Sequence, residues 1–151
     1  MSLCFPVTSE MNCIHLDEKQ KKKVDYDTFG YISIPSIGLN QKFVLNGDID
    51  KNIIVISPSN FPNDDDSILI LAGHSGTGRY AYFNYLYKLK INDIIIVTYM
   101  GTIYKYHVVK SYKQIKDGNV NIYKIKNKNT LALVTCTNYD KKTQTVYLAV
   151  S

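Results

Sequence analysis

From residue 29 onward the chain alternates short apolar runs with turn residues. Tyr31 to Pro35 and Ile37 to Leu39 read as one strand interrupted by proline, since proline removes a ladder donor. Gln41 to Leu45 and Asn52 to Ile56 are further short strands, and Pro58 to Asp66 is a loop of Pro, Asn, Asp and Ser. Ser67 to Gly73 is continuously apolar, the pattern of a strand buried on both faces. It runs into the glycine-bearing loop His74-Ser75-Gly76-Thr77-Gly78. Tyr82, Phe83, Leu86 and Leu89 then recur at helical spacing, which predicts a short amphipathic helix over Tyr80 to Leu89. After a turn at Asn92-Asp93, Ile94 to Tyr99 and Thr102 to Tyr112 form a hairpin around Met100-Gly101. A strand follows near Asn121 to Ile125. Thr130 to Thr137 is another buried strand, Asn138 to Thr143 a polar loop, and Thr145 to Val150 a closing strand.

This amounts to about eight strands with one or two short helices and no alternation of strand and helix. The expected class is mainly β. A closed or nearly closed barrel is the natural arrangement, because closure leaves no exposed edge. There are no internal repeats. Residues 1 to 27 are polar, with a basic run from Lys19 to Lys23, and read as a tail or short helix ahead of one domain spanning 28 to 151.

Composition adds little to the fold but narrows the function. The 151 residues suffice for one domain with a real core. Lysine supplies all the basic charge except Arg79. The excess of Lys, Asn, Ile and Tyr suggests a low-GC genome. The net charge of +5 is concentrated late: nine lysines against Asp117 and Asp140 leave +7 from Gly101 to Ser151. A basic surface attracts nucleic acid, anionic membrane or anionic wall polymers. No arginine-rich or aromatic-interleaved motif points to nucleic acid, and a solvated lysine face is the plain reading. No segment is apolar for long enough to span a bilayer, and no signal-peptide core is visible. Membrane contact is expected only through an anchor upstream of the residues present.

The three cysteines form no CxxC pair, so no metal site is expected. Cys4 and Cys13 lie in the polar N-terminal stretch and could pair with each other in an oxidising compartment. Cys136 differs from both, because it closes an apolar strand and faces a polar loop. His74 likewise closes an apolar strand and opens a flexible loop. A thiol attacks carbonyls as thiolate, and a nearby imidazole promotes that form. The two residues are distant in sequence, so only the fold can join them. His107 sits inside a strand and reads as structural, and His15 lies in the tail. Asp64-Asp65-Asp66 is a solvated acidic loop, although clustered carboxylates also suit a hard cation.

Leu71-Ala72-Gly73-His74-Ser75 and Leu133-Val134-Thr135-Cys136-Thr137 resemble the two active-site signatures of the sortase family. Ala132 stands where the cysteine signature has its first threonine. Ile34-Pro35, the Tyr82-Phe83-x-x-Leu86 stretch and the Asn92-Asp93 turn also fall where sortases have similar features, so the resemblance covers about residues 29 to 151. It implies a closed barrel and a transpeptidase of Gram-positive bacteria, acting outside the membrane. Such an enzyme cleaves an LPxTG-type signal at the C-terminus of a secreted protein through a cysteine thioester. It then transfers that protein to a peptidoglycan or pilin amine, and the resemblance implies that this thioester chemistry needs no metal or organic cofactor. Carried over, Cys136 is the nucleophile, His74 the general acid, and Thr135 the residue that shapes the pocket beside the nucleophile. Arg79 and Tyr80 would meet the peptide. The compact chain looks more like class D than class B.

Sortases usually carry an arginine on the strand after the cysteine, donating to substrate and oxyanion. Here that position falls at Gln144 or Thr145, and no arginine follows Arg79. Three readings are open. Gln144 or Thr145 is a neutral donor; Arg79, Lys141 or Lys142 reaches in from a loop; or the protein is a degenerate member that binds sorting peptides without cleaving them.

Overall fold

The computed structural model describes residues 2–7, 10–15, 29–45, 47–56, 59–60, 67–137, 140 and 142–151. Two strands, β1 (Ser2–Val7) and β2 (Glu10–His15), come first. They are followed by β3 (Phe29–Ile34), β4 (Leu39–Val44), β5 (Ile53–Val55), β6 (Ile68–Ala72), β7 (Ile94–Tyr99) and β8 (Thr102–Ile115). The last three are β9 (Asn119–Asn121), β10 (Thr130–Cys136) and β11 (Thr143–Val150). Eight of them close a barrel in the order β10-β11-β8-β7-β3-β4-β5-β6. Closure is completed by parallel pairing of β6 with β10.

The hydrophobic pattern explains which face each strand buries. Ile32, Phe43, Leu69, Leu71, Ile95, Val97, Tyr106, Leu131, Leu133 and Tyr147 meet inside the barrel. Ile68, Ile70, Ala72, Ala132, Val134, Val146 and Leu148 form a second core on the outer face of β6, β10 and β11. That layer is covered by Val120, Ile122 and Ile56. β6 is therefore apolar throughout, and β10 from Leu131 to Val134, because both faces are buried, the usual composition of parallel neighbours.

Turn chemistry acts where the sequence expects it. Pro35 opens a 3₁₀ turn over Pro35–Ile37, and Gly38, at φ +68°, closes it. Met100 and Gly101 both take positive φ, the type I′ geometry that matches strand twist.

Three elements differ from the sequence reading. The helix expected over Tyr80 to Leu89 is a chain of turns with a 3₁₀ segment at Leu86–Lys88. Its backbone bonds run three residues back, as in Leu86 N–H to Phe83 C=O, and the N–H of Phe83 donates instead to the distant carbonyl of His74. The segment closes in tight three-residue turns in place of an α-helical ladder, yet Phe83 and Leu86 still bury fully. The strand expected near Asn121 to Ile125 lies earlier, at Asn119–Asn121. The N-terminal stretch, expected as tail or short helix, contains β1 and β2, which build a three-stranded sheet with β9. In that hairpin Cys4 and Cys13 are partners in register. The acidic loop Asp64 to Asp66, the basic run Lys19 to Lys23, and Lys141 lie outside the described residues. Among the described residues no helix is long and apolar enough to cross a membrane.

Candidate active site

β6 and β10 lie side by side and parallel, with Ala72 level with Val134. His74 and Cys136 each follow two residues later, so they leave neighbouring strands at the same level. Two bonds tie the strand ends together: Gly73 N–H donates to Val134 C=O at 3.2 Å, and the Ser75 hydroxyl donates to Cys136 C=O at 2.6 Å. Gly73 leaves little room here, because a Cβ on it would stand 3.0 Å from the Phe83 ring.

The His74 ring is half exposed, and its Nε2 lies 2.9 Å from Asp50 Oδ1. Asp50 sits in the turn between β4 and β5. That turn is organised by Asp48, whose carboxylate accepts the Asp50 N–H at 2.9 Å. With Nε2 engaged by a carboxylate, Nδ1 is the ring nitrogen left for a reacting group. Among the described residues no cluster of three or more His, Cys, Asp or Glu gathers as for a metal ion.

Cys136 is the last residue of β10 and is half buried. Across the β10–β11 ladder it faces Gln144, and Gln144 in turn faces Gln114 on β8. Partners in register share a face, so these three form one row. Gln144 is only 2% exposed, and its Oε1 and the Nε2 of Gln114 have no hydrogen-bond partner. The adjacent row, Thr135, Thr145 and Lys113, belongs to the opposite face. Thr135 is buried with its hydroxyl unpartnered, and the Thr145 and Thr137 hydroxyls are bonded at 2.7 Å. Behind Cys136 the hairpin turn is held by Asp140. Its carboxylate accepts the Lys142 N–H at 2.9 Å and the Thr143 hydroxyl at 3.0 Å, which together hold it below the usual carboxylate range.

A cavity of about 780 Å³ opens at Cys136. Phe83, Leu89 and Tyr147 give it an apolar floor, and Thr135, Thr145 and Lys113 add polar groups. Burial pushes the Tyr147 phenol up, so the ring lines the cavity uncharged at neutral pH.

Of the residues singled out from sequence, Cys136, Thr135 and Thr145 line this cavity. His74 stands at the adjoining strand end, and Gln144 shares the row of Cys136 without lining the cavity. Arg79 and Tyr80 do not line the cavity; the Arg79 guanidinium lies 5.8 Å from the Tyr80 ring centre. Lys142 is exposed, with its backbone bonded to Asp140. Sequence reasoning missed two groups, Asp50 beside His74 and Lys116, whose Nζ is 3.4 Å from Cys136 Sγ. The only signal for either was position in a turn, Gly47 to Asn52 for one and Lys116-Asp117-Gly118 for the other.

Comparison with known proteins identifies the family and the fold. The family model for the sortase domain matches residues 32–150, and the chain belongs to that family. Sortase A from Corynebacterium diphtheriae (a lid mutant) superposes with a TM-score of 0.73 at 23% identity, covering 88% of this chain and 73% of that one. Sortase C-1 from Actinomyces oris gives 0.69 at 22% identity, covering 80% and 72%. Sortase C1 from Streptococcus agalactiae gives 0.67 at 27% identity, covering 80% and 65%. A search among curated proteins finds no match.

Proposed function

We propose that this protein is a cysteine transpeptidase that cleaves an LPxTG-type sorting signal through a thioester on Cys136. The observation that carries the reading is the exit of His74 and Cys136 from adjacent parallel strands at one level, cross-tied by Ser75. The thiolate of Cys136 attacks the scissile carbonyl carbon; a C–S bond forms and the carbonyl electron pair moves onto oxygen. The pair returns, the C–N bond breaks, and the amine leaves with a proton from His74. An acceptor amine then attacks the thioester, gives its proton to His74, and the sulfur departs with its electron pair. Thr135 and Thr145 are the neutral donors nearest the cavity, and its apolar floor suits a side chain of the sorting peptide. The substrates would be secreted proteins with a C-terminal sorting signal, and the acceptor a peptidoglycan or pilin amine. The site of action is the outer face of a Gram-positive cell.

One observation favours a second reading. A threonine, not an arginine, lines the cavity from β11, and losing one oxyanion donor costs about two to three orders of magnitude in rate. A non-catalytic domain that only binds sorting peptides would fit that loss.

The experiment incubates the protein with LPxTG-type peptides and an amine acceptor, and reads intact mass. The expected result is an acyl-enzyme on the native protein and on Cys4→Ser and Cys13→Ser, and none on Cys136→Ala. An adduct that persists on Cys136→Ala would show that the nucleophile lies elsewhere. Peptide binding with no adduct from any motif would leave the binding domain as the better description.

A further inference from the structure

Lys116 follows β8 by one residue, and its N–H donates to Lys142 C=O at 2.8 Å, extending the β8–β11 ladder past Ile115 and Thr143. Gly118, at φ +93°, then turns the chain away. Cys136, Gln144 and Gln114 are aligned across three strands, and side chains return to one face every two residues. Lys116 therefore emerges on the face of Gln114, two residues farther out, and its stem crosses β11 diagonally toward the sulfur. The result is an ammonium Nζ 3.4 Å from Cys136 Sγ. Among the described residues no carboxylate stands within ion-pair distance of Lys116, so its charge is directed at the thiol.

We propose that Lys116 is a catalytic residue that holds positive charge against the reacting sulfur. This rests on Cys136 being the nucleophile. Lys116 keeps its proton throughout. It donates an N–H to the thiolate, and the bond is released as the sulfur's electron pair forms the C–S bond and the carbonyl pair moves to oxygen. It is restored when the acceptor amine displaces the sulfur. His74 alone carries the transferred proton. The two flanks of Cys136 thus divide the chemistry, with proton transfer from the β6 side and charge from the β8 side.

The test uses the full chain with Cys4→Ser and Cys13→Ser, so that Cys136 is the single thiol. Its native-state alkylation is timed with iodoacetate, which is anionic, and iodoacetamide, which is neutral. Lys116→Met should lower the iodoacetate-to-iodoacetamide rate ratio by about threefold, the size expected of one exposed charge at contact distance. Lys116→Arg should keep the ratio. Lys105→Met removes the same charge from the other end of β8, about 35 Å away at the usual strand rise, and should leave the ratio unchanged. High salt should shrink the native ratio toward that of Lys116→Met. Acylation by a sorting peptide should fall with Lys116→Met and recover with Lys116→Arg. If Cys136 alkylates rapidly and Lys116→Met leaves the ratio at the native value, Lys116 has no such role and the nucleophile reading stands. Equal shifts from Lys116→Met and Lys105→Met would also overturn the assignment. If Cys136 is inert to both reagents in the native protein, the nucleophile and its cation fall together.

Discussion

On the β6 side of Cys136, His74 is held at three points: its ring at Asp50, its carbonyl at the Phe83 N–H, and its neighbour Ser75 at the Cys136 carbonyl. On the β11 side the groups opposite Cys136 are neutral and short of partners. Gln144 is buried with a free Oε1, Thr135 with a free hydroxyl, and Thr145 is turned to Thr137. The cation on that side comes from one strand farther away, on a flexible lysine stem. The first flank is preorganised by backbone and side-chain bonds together. On the second, the Thr135 hydroxyl is left beside the cavity without a partner, a neutral donor and not a fixed charge.

The sharpest way to break this contrast is at His74. His74→Ala should lower acyl transfer by about two to four orders of magnitude, the usual worth of a positioned proton donor, read as single-turnover acylation of Cys136. A variant that acylates at the native rate would mean that the well-ordered flank is structural only.

The next effect tests the neutral flank. Thr145→Arg places a charged donor on the cavity side and should preserve or raise turnover of a sorting peptide. Gln144→Arg puts the charge at a buried position of the outer row and should cost about 2 kcal/mol or more of stability, read as a lower unfolding midpoint. If Gln144→Arg gains activity without loss of stability and Thr145→Arg loses it, the two positions have been assigned to the wrong faces.

Smaller changes separate the supports from the reacting groups. Asp50→Ala removes an exposed partner of His74 and should slow acylation by no more than about fivefold. A loss as large as that of His74→Ala would make Asp50 an equal member of the site. The least effect concerns Asp140, which fastens the turn behind Cys136. Its folded carboxyl is lowered from 3.8 by bonds from Lys142 and Thr143, so the charged form contributes stability above that value and loses it as pH falls through the folded one. Asp140→Asn should therefore unfold at lower temperature than the native protein at neutral pH, with the gap closing as the pH falls below 3.8. A gap that widens in acid would reverse the sign of this contribution.

The barrel was legible because its signals are local. Short apolar runs, a proline at Pro35 and the Met100-Gly101 turn each act within a few residues. The misread helix shows where such reasoning stops. Tyr82, Phe83, Leu86 and Leu89 have helical spacing and do pack inward, but their backbone closes in three-residue turns, anchored through the Phe83 N–H to the distant His74 carbonyl. Cys136 and His74 were visible as strand ends within family signatures. Lys116 was one of nine lysines in the final third, and nothing in its neighbours set it apart.

By itself, then, the sequence determined the strands of the barrel, the faces they bury and the choice of Cys136 and His74 as the candidate thiol and imidazole, because apolar period and residue chemistry are properties of the chain. Tertiary structure alone decided which charges stand beside them. Asp50 reaches His74 from another turn, and Lys116 reaches Cys136 across β11. Both depend on register between strands far apart in sequence. A slip of one residue would send either side chain to the opposite face.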